Sequence, residues 1–157
     1  MTKRSVTHDT FVLERSYSAS PARVFFALSD KQAKAKWFGG PDEWGQGKYE
    51  MDFRVGGREI SSGGPKGGPV HTFVAVYQDI VPDERIIYTY DMHLDDKRIS
   101  VSLATIELRP EGHGTRLVLT EQGAYLDGFD DPSVRMQGME ELLDALGRSL
   151  ENTGVNA

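Results

Sequence analysis

Residues 131–150 read DPSVRMQGMEELLDALGRSL. Asp131 is a helix-capping residue type, and Pro132 suits the first helical position, where no N–H is needed. Met136, Met139, Leu142, Leu143, Leu146 and Leu150 then recur at spacings of three and four, which is one face of a helix. Glu140, Glu141, Asp144 and Arg148 fall mostly on the other side. A helix of about 20 residues is about 30 Å long, enough to cross a small domain. Its apolar stripe has to be buried. Most of the chain before it reads as β-strand, so the stripe is expected to lie on a sheet.

The strands are expected over 10–17, 49–55, 58–62, 70–81, 86–92, 99–108 and 115–122. In the first, Phe11, Leu13, Arg15 and Tyr17 share one face, with Arg15 near an end and reaching for water. Tyr49, Met51, Phe53 and Val55 alternate with charged residues, and Gly56-Gly57 reads as the hairpin turn that follows. Pro82-Asp83-Glu84, Asp95-Asp96 and the 110–114 segment mark further turns. Met1 to Asp9 is polar and expected to fray. After the first strand, Ser20-Pro21 starts a short helix carrying Val24, Phe25 and Leu28. Asp30 caps a second one through Trp37, which Gly39-Gly40-Pro41 ends. Consecutive strands joined by tight turns pair antiparallel. The expected fold is α+β: a curved antiparallel sheet wrapped around a long C-terminal helix, with two short helices after the first strand.

Composition narrows the function classes. The 157 residues suit one domain over 1–157, with an ordered core over about 8–151. There is no cysteine, which removes disulfides, thiolate nucleophiles and cysteine-ligated metals together. No apolar run approaches the roughly 18 residues of a membrane span, and a cytoplasmic setting is expected. A net charge of −6 argues against nucleic acid as partner. The three lysines of 31–36 read as a solvated helix face.

No stretch carries a strong chemical signature. The glycine-rich run 63–69 lacks the G-x-x-x-x-G-K-[ST] order, since Gly67 follows Lys66. Asp91, His93 and Asp95 have metal-ligand spacing on a strand, but they run into a turn where polar residues are expected anyway. No metal and no cofactor are expected. No G-x-S-x-G occurs, and Ser61-Ser62 has no evident base. Glu121 is different. It extends the alternation of Leu117 and Leu119, so it should point with them toward the interior, where burial would raise its pKa unless Arg15 or His71 pairs with it. The chain is also rich in tyrosine, other aromatics and methionine. Several tyrosine hydroxyls are costly in a sealed core, whereas they and soft Met side chains suit a cavity.

Several motifs, in order, carry a family resemblance: Ser18-Ala19-Ser20-Pro21 before Val24-Phe25; Lys36-Trp37-Phe38; Phe53-Arg54-Val55-Gly56-Gly57-Arg58; Ile80-Val81-Pro82-Asp83-Glu84-Arg85 before Tyr88-Thr89-Tyr90; and Gly114-Thr115-Arg116-Leu117. Together they resemble the C-terminal domain of the activator of heat-shock-protein-90 ATPase, within the START and birch-pollen-allergen (SRPBCC) superfamily. The resemblance implies the helix-grip fold. Superfamily relatives bind lipids, sterols, polyketides or other apolar ligands in the grip cavity. Eukaryotic activators add an N-terminal domain that engages the chaperone, which this chain is expected to lack, since the resemblance starts near residue 11.

The expected function is therefore non-catalytic binding of a small hydrophobic or amphipathic molecule between sheet and helix. The expected site is Trp37, Tyr49, Phe53, Phe73, Tyr88, Tyr90, Glu121, Met136, Met139 and Leu143. One alternative is a chaperone-linked interaction or stress-response protein. Another is a cyclase- or hydrolase-like enzyme using Glu121. Homodimerisation through a sheet edge or the 39–47 loop is a further expectation.

Overall fold

Each helix begins where a short polar side chain can take up an orphan N–H. Ser20 Oγ accepts from Arg23 N at 3.3 Å, Asp30 Oδ2 from Ala33 N at 2.9 Å, and Asp131 Oδ1 from Ser133 N at 2.9 Å. The computed structural model describes residues 4–40, 44 and 47–153, with side chains to 151. The Pro41 helix stop, and most of the 39–47 loop expected as a dimer contact, lie outside the described residues.

The order is β1 (Val6–Tyr17), α1 (Pro21–Ser29), α2 (Lys31–Ala35), β2 (Tyr49–Met51), β3 (Arg58–Gly63), β4 (His71–Val81), β5 (Arg85–Leu94), β6 (Lys97–Glu111), β7 (Gly114–Leu126) and α3 (Pro132–Thr153). The strands form one antiparallel sheet in the order β1-β7-β6-β5-β4-β3-β2. This is the α+β helix-grip fold. β1 starts earlier than its polar residues suggest, because Val6 to Asp9 pair with Leu126 to Gly123. β2 stops at Met51, short of the expected Val55. Asp52 N still donates to Arg58 O at 2.8 Å, but the chain then turns so that Gly56 N donates to Tyr77 O at 2.8 Å.

Helix α3 is held most firmly at its C-terminal half. Leu143, Leu146 and Leu150 are all buried, each contributing about 1.5–3 kcal/mol. Tyr17 Oη donates to the Leu143 carbonyl at 2.7 Å, and Arg15 Nε donates to Asp144 at 2.8 Å. A Cβ on Gly147 would meet the Tyr17 ring at 3.1 Å, so glycine lets strand and helix come this close. Arg15 therefore reaches past the sheet to the helix rather than into a pocket. Met136, Met139 and Leu142, in the N-terminal half, are only half-buried.

The lysine run of α2 corrects the expectation of a solvated face. Lys34 is buried, with Nζ 2.7 Å from Glu59 Oε1 and 4.5 Å from the centre of the Phe38 ring.

Candidate functional site

Antiparallel register lines the concave face in rows. One row runs Phe11, Glu121, Ala104, Tyr88, Tyr77. The next runs Asp9, Gly123, Ser102, Tyr90, Ala75, Glu59, Met51, and the next Thr7, Tyr125, Ser100, Met92, Phe73, Ser61, Tyr49. Alternation along β7 thus carries Leu117 and Leu119 into the core and then presents Glu121, Gly123 and Tyr125 on the same face.

Glu121 is fully buried. Its Oε2 accepts from Tyr90 Oη at 2.8 Å and lies 4.0 Å from Arg135 Nη1. Arg135 comes from the first turns of α3. It donates to Tyr90 Oη at 3.0 Å and Ser100 Oγ at 2.9 Å, and it is ion-paired with Asp130. Its guanidinium sits 5.6 Å from the Tyr90 ring and 5.3 Å from the Tyr125 ring, so both rings flank it. Burial disfavours its charge, but Tyr90, Asp130 and Glu121 outweigh that and raise its pKa. Burial likewise lifts the Glu121 carboxyl above the ordinary range, against the pull of Tyr90 and Arg135. The Tyr125 phenol is pushed up to about 12, chiefly by burial.

Three buried side-chain atoms in this region have no hydrogen-bond partner: Glu121 Oε1, Ser102 Oγ and Tyr125 Oη. They surround one position. Ser102 is directly across from Gly123, and Glu121 and Tyr125 are its neighbours along the same face. A Cβ at Gly123 would stand 3.1 Å from Tyr125 Oη and 2.9 Å from a ring carbon, so the tyrosine lies back over the space that glycine leaves.

An aromatic wall adjoins this polar floor. The Tyr90 ring is 4.9 Å from that of Phe73 and 5.8 Å from that of Tyr88, and Phe38 stands 5.1 Å from Phe73. Of the ten expected site residues, Phe73, Tyr88, Tyr90 and Glu121 come together on the concave face. Met136 and Met139 lie against the same core from the turns of α3 beside Arg135. Tyr49 is placed at the far edge, donating to Glu59 at 3.1 Å. Phe53 stacks edge-on against Tyr77 at 4.8 Å, Trp37 donates to the Ala27 carbonyl at 3.0 Å, and Leu143 is sealed in the core.

The sequence reading missed Arg135, Ser100, Ser102, Tyr125 and Asp130. Extending the Glu121 alternation by four residues would have found Tyr125, and extending that of Leu108 and Ile106 backward would have found Ser102 and Ser100; nothing local marks Arg135 or Asp130. Arg135, not Arg15 or His71, is the cation beside Glu121. His71 instead stacks on Trp44 at 5.2 Å. Among the described residues, no group of three or more His, Asp or Glu converges to hold a metal ion. Asp91 lies 3.6 Å from Arg98, and the sheet is irregular between Met92 and His93. A surface cavity of about 360 Å³ lies elsewhere, between α1, α2 and the end of α3, with Ala22, Phe26, Lys36 and Leu150 among its walls. None of the ten expected residues lines it. Chemically, the Glu121 cluster can hold a polar group against an apolar wall, and its carboxyl can give or take a proton.

Residues 18–151 match the family described as "Activator of Hsp90 ATPase homolog 1-like protein". The chain belongs to that family. A solved structure from Rhizobium leguminosarum is 46% identical, with a TM-score of 0.92, over 96% of this chain and 99% of that one. Another, from Rhizobium loti, is 46% identical with a TM-score of 0.87, over 93% and 99%. The AHSA1-like protein of Aeromonas hydrophila, 18% identical over 93% and 94% with a TM-score of 0.69, shares the fold. No curated protein matches the chain. The helix-grip architecture and the SRPBCC superfamily follow, and family membership supports a ligand-binding or chaperone-associated role in general. Among the described residues, no helix is long and apolar enough to cross a membrane.

Proposed function

We propose that this helix-grip protein binds a small apolar or amphipathic molecule, without chemistry, between the aromatic wall and the N-terminal half of α3. The observation that carries the reading is the uneven burial of that helix. Its C-terminal leucines are sealed, while Met136, Met139 and Leu142 stay only half-buried, Met136 and Met139 against the core cluster that includes Phe73, Tyr88 and Tyr90. Met side chains are unbranched and deformable, and yield to a ligand at little cost. Apolar walls with a few convergent polar groups are the usual make-up of a small-molecule site.

Native mass spectrometry of freshly purified protein, before and after organic extraction, tests this. A small molecule that is retained and then lost on extraction is expected. A clean unliganded mass, together with no thermal shift across fatty acids, sterols and aromatic alcohols, would overturn the reading. A ligand at 100 times its Kd should add about 2.7 kcal/mol.

A second reading, an interaction with a chaperone, is favoured by one observation. The Phe26 side chain on α1 is 58% exposed beside the cavity at the end of α3. The test is the ATPase rate of a bacterial Hsp90 homologue at saturating protein. Stimulation that Phe26→Ser abolishes would support it, and an unchanged rate would remove it.

A further inference from the structure

Three hydroxyl or carboxyl oxygens without partners, around one glycine, call for a polar group supplied from outside the protein. We infer that the ligand carries a neutral hydroxyl, and that this hydroxyl docks on Glu121, Ser102 and Tyr125 with its apolar body against Phe73, Tyr88 and Tyr90. The inference deepens the proposed function and rests on it.

Burial makes the three oxygens informative. Glu121, Ser102 and Tyr125 are 0%, 3% and 2% exposed, and a buried polar atom left unsatisfied costs about 1–3 kcal/mol. Natural cores seldom keep three together unless something satisfies them. Their position fits entry from the cleft. Ser102 is directly opposite Tyr90, whose ring belongs to the aromatic wall and whose hydroxyl is already engaged by Glu121 and Arg135.

The charge of the surroundings selects the head group. An anionic head would meet Asp130, beside Arg135, and, on the same row as Gly123, Asp9. Among the described residues, the cation beside them is Arg135, which already serves Asp130, Tyr90 and Ser100. A carboxylate ligand would therefore lose its hydration without gaining a guanidinium of its own. An ammonium would need Glu121 ionised at a site with no water contact, and it can only donate. A hydroxyl both donates and accepts, as Ser102 and Tyr125 do. Burial favours the protonated, hydrogen-bond-donating form of Glu121, which suits the same partner.

A matched set with one aromatic body separates these heads: 2-naphthol, 2-naphthoate, 2-naphthylmethylammonium and naphthalene. Calorimetric titration of the full chain should give 2-naphthol the tightest binding, about tenfold over naphthalene. Tyr125→Phe and Ser102→Ala should each weaken 2-naphthol several-fold without lowering the melting temperature of the unliganded protein, since each removes an oxygen with no protein partner. If naphthalene binds as tightly as 2-naphthol, or both variants keep full affinity, the three oxygens hold only internal water. The hydroxyl inference then falls while the cleft reading stands. Preference for the carboxylate or the ammonium would overturn the head-group assignment in the same way. No binding by any of the four would overturn the hydroxyl inference, and the mass and thermal-shift tests above would then decide the cleft reading.

Discussion

Two glutamates are sealed on the same concave face, and the protein treats them differently. Glu59, 1% exposed, is saturated: Lys34 Nζ and Tyr77 Oη donate to Oε1 at 2.7 and 2.5 Å, and Tyr49 Oη donates to Oε2 at 3.1 Å. Glu121, 0% exposed, has one bonded oxygen and one open one. The first cluster clamps α2 onto β2, β3 and β4. The second lies under the half-buried end of α3 and leaves hydrogen-bonding capacity unused. Burial of a charge does not by itself mark a site; unspent capacity beside a deformable wall does.

The largest effect should come from breaking the saturated cluster. Glu59→Gln leaves the Lys34 ammonium buried without a counter-charge and should cost about 3–5 kcal/mol in urea unfolding. A loss near zero would mean that Lys34 reaches water, and the contrast between the clusters would dissolve.

The two halves of α3 sharpen the comparison. Leu143→Ala should cost about 2–5 kcal/mol, because its leucine is fully enclosed. Met139→Ala should cost about 1 kcal/mol, because its side chain is only half-removed from water. Equal losses would show that the helix is gripped evenly along its length.

Smaller still is Glu121→Gln, expected within about 1 kcal/mol of wild type at neutral pH, since the amide oxygen can keep the Tyr90 bond. Its signature is the pH slope. The Glu121 carboxyl titrates above its ordinary 4.5 because burial penalises the charge, so the folded state holds this proton more tightly than the unfolded chain does. Stability from the group is full below the ordinary value and is lost as pH rises through the folded one. The variant should flatten that decline, measured as urea midpoints from about pH 4 to about pH 8. An unchanged slope would mean that Glu121 titrates in the folded protein as it does in the unfolded chain. The smallest effect is Tyr125→Phe, with a melting temperature at or slightly above that of wild type.

Much of the fold was legible because period-2 and period-3.6 patterns record which side faces the core. Phe11, Leu13, Leu117, Leu119, Leu143, Leu146 and Leu150 all follow that rule. Glu121 was legible for the same reason. Glu59 was not. A two-residue turn at Gly56-Gly57 would set Glu59 opposite Arg54 on the outer face. The longer turn pairs it with Met51 instead, and an odd shift of register moves a side chain to the other face. Lys34 followed Glu59 inward, and its neighbours Lys31 and Lys36 gave no warning, being exposed. Arg135 escaped because its partners Tyr90, Ser100 and Asp130 meet only through tertiary packing. On a helical wheel it is simply a charge next to Met136.

Whether a ligand lies against the N-terminal half of α3 can be read from the protein's own methionines. Four of its five, Met51, Met92, Met136 and Met139, lie partly buried against the core. Methyl-labelled methionine and leucine can be followed by NMR during a titration with 2-naphthol. Ring-current shifts are expected at Met136, Met139 and Met92, saturating with the calorimetric affinity, while the methyls of Leu146 and Leu150 stay in place. Shifts confined to Leu150 and the α1 side, with all four methionines unmoved at saturation, would contradict this and move the binding site to the cavity beside Phe26.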